Sequence, residues 1–165
     1  MMLGKFLWYL LLDTVVMITG LILAPIISLF VDRKGNLPGW LYWFQTPDSN
    51  MWGDPGDAGF YEDHVDDSCW WTATLWQWRN TTQGFSTFVL GLDETGLTII
   101  EIPSGRGYWK SAVKDDKQVG FEWKIDLKYP FIEKRFVIRM GWKFGWDERF
   151  PAQFAGISIR PWQSM

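Results

Sequence analysis

Apolar and polar positions change their period along the chain, and each period predicts a different element. Residues 6–31 form a 26-residue apolar run from Phe6 to Val31 with one charge, Asp13. About 20 apolar residues in a helix cross a hydrocarbon core of ~30 Å, so the run predicts one membrane-spanning or membrane-embedded helix. Trp8 and Tyr9 stand near one end, and Trp40, Tyr42, Trp43 and Phe44 follow the other. Aromatic residues in those places are expected of belts at the two membrane interfaces. The alternatives are a helix buried in protein and a cleaved signal peptide. A signal core is shorter, roughly 7–15 residues, and ends at a small-residue site, which Ser28 to Lys34 lacks. Asp13 lies about two turns in, where an ionised carboxylate costs roughly 2.5–3.5 kcal/mol, less near the interface. It either reaches headgroups or is protonated, or it makes a polar contact with another helix.

Beyond the run, residues 35–39 have turn chemistry, and residues 37–44 form an aromatic stretch suited to lying flat in an interface. Residues 53–67 read as a polar loop of Gly, Pro and Asp. Ser68 to Asn80 reads as a short helix, capped by Ser68, ended by Asn80, with Trp71, Leu75 and Trp78 on one face, which can pack on the sheet or lie on the bilayer as a second interfacial element. Arg79 and Asn80 are suited to clamping a neighbouring turn. From Phe85 the period becomes two. Strands are expected at 85–90, 97–102, 108–113, 121–129, 132–144 and 153–159. The clearest puts Phe121, Trp123, Ile125, Leu127 and Tyr129 on one face, with Glu122, Lys124, Asp126 and Lys128 on the other. The whole predicts an α+β protein: a single N-terminal transmembrane helix, short interfacial helices, then an antiparallel meander of about five or six strands. The corresponding division is 1–34 anchor, 35–84 aromatic and acidic linker, and 85–165 β domain.

Composition refines this picture. The net charge of −3 argues against a nucleic-acid partner held by bulk charge. The charge is unevenly spread: residues 32–67 hold eight acids and two bases, residues 106–149 eleven bases and seven acids. Lys124, Lys128, Arg135, Arg139 and Lys143 mark a basic sheet face able to meet anionic headgroups or an acidic partner, though solvated sheets commonly look alike. A single cysteine, Cys69, excludes an intrachain disulfide and suits a reducing compartment. Thirteen Trp in 165 residues suit places dry at one end and wet at the other.

In the acidic loop Asp63, His64, Asp66 and Asp67 are the candidate ligands for a divalent metal, though the spacing matches no EF-hand, HExxH or paired Cys/His pattern. Ordinary solvated turns have the same composition, and the expectation is no cofactor. His64 with Cys69 makes a weak nucleophilic pair, and a buried structural thiol is the favoured reading of Cys69.

The segment Leu37-Pro-Gly-Trp-Leu-Tyr-Trp-Phe-Gln-Thr-Pro-Asp48, following an apolar helix that ends Leu-Ala-Pro-Ile, resembles a group of small uncharacterised tailed-bacteriophage proteins. Trp76-Gln-Trp-Arg-Asn80, followed by Gly84-Phe85, resembles the same group. The resemblance covers roughly residues 10–90, more loosely the closing strands, and implies a phage source and a bacterial host. It brings no activity.

The expected function is therefore that of a phage-encoded, membrane-anchored accessory protein acting by binding, with the lipid bilayer as one partner. Itself or other membrane or virion proteins are further candidate partners. Flanking bases, Lys5 against Arg33 and Lys34, lean towards a cytoplasmic C-terminal domain at the host inner membrane. Two alternatives stay open: a virion component whose apolar helix is buried in an assembly, and a metal-dependent enzyme built on the acidic loop. The absence of a catalytic constellation leans against an enzyme.

Overall fold

The computed structural model describes residues 2–54, 60, 63, 64 and 69–164, the last three by backbone alone. Helix α1 (Met2–Ile27) continues into a 3-10 turn (Ser28–Phe30), and a 3-10 segment (Gly39–Phe44) follows. Then come α2 (Trp70–Arg79), α3 (Gln83–Phe88) and five strands: β1 (Thr98–Ser104), β2 (Gly107–Lys114), β3 (Lys117–Lys128), β4 (Lys134–Lys143) and β5 (Gln153–Ser164). This is an α+β protein, as expected. It divides into two compact units, one of residues 1–11 with 90–165 and one of residues 12–89.

The helical unit is organised by a proline. Pro25 has no N–H, so the Leu21 carbonyl four residues earlier loses its helical donor. The indole Nε1–H of Trp78 donates to that oxygen at 2.9 Å. Trp70 Nε1–H donates to the Pro25 carbonyl at 2.6 Å, in the last turn of α1, where carbonyls lack α-helical donors. These two bonds tie α2 along α1. Beneath them Ile27, Leu37, Leu41, Met51, Phe60, Ala73 and Trp76 form the buried core. Gln45 holds the intervening loop, its Oε1 accepting from the Leu37 amide at 2.8 Å.

One expectation fails here. Residues 85–90 are not a strand: α3 takes Gln83–Phe88, entered through Thr82 at a left-handed φ of 68°. Gly84, Phe85, Ser86 and Thr87 are buried in succession, which no alternating strand allows, and a Cβ on Gly84 would press on the backbone carbonyls of Tyr42, Trp43 and Gln45. Close packing overrides the β preference of Phe, Thr and Val. Helix α2 turns inward a different face from the one that carries Trp71 and Trp78. The inward face carries Thr72, Ala73 and Trp76, whereas Trp71 and Trp78 are exposed. Their hydroxyls let the threonines sit inside: Thr74 Oγ1–H donates to the Trp70 carbonyl at 2.9 Å. Asn80 ends α2 as expected and also clamps the following turn, accepting from Gln83 Nε2–H at 2.9 Å.

The second unit is a five-stranded antiparallel meander, ordered β1 to β5. The β2–β3 turn is two residues, Asp115 and Asp116, both at positive φ (49° and 59°), the geometry that matches the twist of a hairpin. One face is apolar. At its packed end Phe121, Trp142 and Phe154 meet Phe6 and Tyr9 from the first turns of α1, with ring centroids 5.1–6.5 Å apart. Trp142 is fully buried and donates its Nε1–H to the Leu90 carbonyl at 2.8 Å. Its neighbour Gly141 sits at φ 100°, where the β4–β5 register shifts and a Cβ would strike the Phe121 backbone. Towards the other end Ile102, Ile157 and Ile159 remain exposed.

Replacing Trp142 by alanine removes the ring at the centre of this cluster and should lower unfolding free energy by about 3–5 kcal/mol. Trp142→Phe, which keeps most of the packing but strands the Leu90 carbonyl, should cost about 1–3 kcal/mol. Denaturant titration of the detergent-solubilised chain, followed by near-ultraviolet circular dichroism, checks both. Equal losses for the two variants would mean that the ring itself contributes little.

Candidate functional site

The charged face of the sheet gathers its cations because antiparallel register puts them in rows. Lys124 pairs with Arg139, which pairs with Ser158; Lys128 pairs with Arg135, and Val137 with Arg160. Cross-strand partners share a face, so these side chains converge. They enclose an open cavity of about 220 Å³ lined by Lys124, Arg135, Val137, Arg139, Lys143, Ser158 and Arg160. Four of the five basic residues expected from the sequence line it. Lys128 does not, being exposed outside the lining. The alternation in the sequence marks a strand only to Ile159, whereas β5 continues through Arg160 and adds it to the lining.

Two carboxylates hold the cations in place. Glu122, buried with 1% of its side chain exposed, lies 3.0 Å from Arg139 Nε. It accepts from the Tyr108 hydroxyl at 2.9 Å and from the Phe144 amide at 3.3 Å. The sequence placed Glu122 on a solvated face; its buried partners explain why it can lie inside. Asp126 pairs with Lys124 Nζ at 2.9 Å and Arg135 Nη1 at 3.2 Å. The hydrogen bond from Lys124, with the charges of Lys124, Arg135 and Lys128, holds its carboxyl below the usual carboxylate range. Tyr108 is pushed up to about 12, first by burial, then by the hydrogen bond and charge of Glu122. Lys110 and Lys124 lie over its ring, 4.8 and 5.8 Å from the centroid.

The other predicted residues are dispersed. Trp8, Trp40 and Trp43 are exposed. Tyr9, Tyr42 and Phe44 are partly covered by protein instead: Tyr9 packs on Trp142 and Phe154, Tyr42 on Phe88 at 5.3 Å, and Phe44 against the helical core. Asp13 accepts a 2.7 Å hydrogen bond from Ser86 Oγ, the polar helix contact that the sequence left open. In the acidic loop, Asp66 and Asp67 lie outside the described residues. Asp63 is exposed, and His64 stacks on Phe60 at 4.3 Å with Nδ1 2.8 Å from the Phe60 carbonyl. Among the described residues no three His, Cys, Asp or Glu side chains converge. Cys69 is exposed, which corrects the expectation of a buried thiol; it is the N-cap residue of α2, and Sγ is 3.5 Å from Thr72 Oγ1.

Helix α1 has two distinct faces. Phe6, Gly20, Ala24 and Ile27 are buried, whereas Leu3, Leu7, Leu11, Val15, Ile18, Ile22, Ile26 and Leu29 stay exposed along the opposite face and into the 3-10 turn. With that turn the helix spans 29 residues, long and apolar enough to cross a membrane, and its most apolar window is only 17% buried. That degree of burial is unlike the core helix of a water-soluble protein.

Fold and surfaces together define a class: an α+β protein with one N-terminal apolar helix and an antiparallel sheet, dry on one face and basic on the other. The chain belongs to DUF7338, a family of unknown function, whose profile matches residues 1–164. No curated protein and no solved structure matches it.

The raised Tyr108 pKa has a definite pH consequence. The fold favours the neutral phenol, so its contribution to stability is complete below pH ~10, the ordinary tyrosine value, and fades as pH rises through about 12. Ultraviolet titration of wild type against Tyr108→Phe should isolate a phenolate step near 12. Glu122→Gln should move that step down, because it removes a charge that raises it. An unchanged step in Glu122→Gln would break the link.

Proposed function

We propose that the protein is a membrane-bound binding protein, held to a bilayer by the exposed apolar face of α1. The observation that carries this reading is the unbroken row from Leu3 to Leu29, too apolar and too long to stand in water. Exposed Trp40, Trp43, Trp70 and Trp71 of the helical unit support it, since indoles favour the headgroup level. The basic sheet face supplies the binding surface. A tailed-phage source, a host inner membrane and a cytoplasmic sheet unit belong to the same proposal; they rest on the resemblance and on the bases flanking the helix.

A second reading has one observation in its favour. Ile102, Ile157 and Ile159 leave part of the dry sheet face uncovered, which suits a protein neighbour, as in a virion or another assembly.

Fractionation of cells expressing the full chain separates the two. On the membrane reading the protein stays in the pellet through alkaline carbonate and leaves it only with detergent. Ile18→Lys with Ile22→Lys places two charges on the exposed face without entering the core. At roughly 2.5–3.5 kcal/mol per charge near a helix centre, membrane partition should fall by more than about a hundredfold. A wild-type chain released by carbonate as a monodisperse species would sink the membrane reading and leave the assembly.

A further inference from the structure

The cavity on the charged sheet face is lined by clustered cations and, among the described residues, by no carboxylate. Five cations, Lys124, Arg135, Arg139, Lys143 and Arg160, line it, and Glu122 and Asp126 beside it hold Lys124, Arg135 and Arg139 in place. Lys124, Arg135 and Arg139 have side chains only 18%, 30% and 22% exposed, so their mutual repulsion is incompletely screened by solvent. The Nε atoms of Arg135 and Arg139 are buried and make no hydrogen bond, and the Nε–Oε1 approach of Arg139 to Glu122 is an ion pair without hydrogen-bond alignment. Ser158 adds a hydroxyl to the lining. Guanidinium groups present fixed forks of donors that match tetrahedral oxyanions, and a doubly charged group offsets clustered cations better than a singly charged carboxylate does.

We propose that this cavity binds a phosphate group, with Arg135, Arg139 and Arg160 as its principal donors and Lys124 and Lys143 completing the charge. At ~30 Å³ per water, 220 Å³ has room for about seven waters, enough for a phosphate and its first substituent. All the residues involved lie in the sheet unit, so the proposal goes beyond the membrane reading and stands without it. The phosphate has two possible sources, a soluble phosphorylated compound or a lipid headgroup.

The test is calorimetric titration of inorganic phosphate into the full-length protein in a neutral detergent at low salt and pH 7. One saturable site is expected, weakened by added salt and little affected by equal acetate. Arg135→Gln and Arg160→Gln should each weaken it roughly tenfold or more, the usual worth of a charged hydrogen bond. Lys114→Gln, on β2 outside the cavity, should leave it unchanged. Arg160 is exposed, so its replacement tests the site without threatening the fold, and far-ultraviolet circular dichroism confirms that each variant is folded.

Flotation on phosphatidylcholine vesicles with and without phosphatidic acid then assigns the source. A gain from phosphatidic acid that Arg160→Gln removes and phosphate competes away marks a headgroup. Saturable phosphate binding with no such gain marks a soluble ligand. Absence of saturable phosphate binding, or wild-type binding by folded Arg135→Gln and Arg160→Gln, overturns the proposal.

Discussion

The carbonyl of Leu21 is left without its helical donor by Pro25, and the indole of Trp78 takes the donor's place. An unsatisfied carbonyl on a helix this apolar is costly in lipid or in a protein interior alike, so the bond does more than add a contact. It fixes α2 along α1, with Trp70 on the Pro25 carbonyl as the second point. Once α2 is fixed, Trp76 and Ala73 face Ile27, Leu41, Met51 and Phe60, and the loop between residues 31 and 54 has a core to close on. Gly84 then lets α3 approach the Gly39–Phe44 segment closely, and Ser86 reaches Asp13. A helix that looks self-sufficient in composition thus carries a dedicated protein-facing side.

The sheet solves a different problem. Its apolar face is closed at one end by Trp142 and the rings around it, including Phe6 from α1. Its charged face concentrates cations on three adjacent strands, and that arrangement depends on buried Glu122. With Arg139, Tyr108 and the Phe144 amide as partners, Glu122 ties β2, β3 and β4 into one polar layer. Removing one charge from such a layer leaves its partner buried and uncompensated, so the pair is costly to break even where it adds little net stability. The cavity is a by-product of that layer: the rows that satisfy Glu122 and Asp126 also bring in Arg160, Lys143 and Ser158.

Much of the fold was readable because it follows from local period. The 26-residue apolar run, the alternation from Phe121 to Leu127 and the glycine and proline breaks specify α1, β3 and the meander without reference to anything distant. The candidate site was half readable. Period two put Lys124, Arg135, Arg139 and Lys143 on one face, since register follows alternation once strands are neighbours. It could not say that Lys128 stands outside the cavity or that β5 continues through Arg160. Nor could it show that Glu122, one of an evenly charged row, is the buried member.

The sequence by itself determined the elements whose hydrophobic pattern is strong and whose contacts are near in the chain: the apolar helix, the hairpins and the charged and dry faces of the sheet. Tertiary structure decided what depends on distant partners. It made a helix of residues 83–88, because Gly84 and Phe85 are packed on a segment forty residues earlier. It turned Thr72, Ala73 and Trp76 inward on α2, because the indoles of Trp70 and Trp78 were needed on α1. It split the predicted aromatic belt into exposed Trp8, Trp40 and Trp43 and protein-packed Tyr9, Tyr42 and Phe44. In each case the residue type was compatible with both outcomes, and a hydrogen bond or close contact to a remote backbone chose between them.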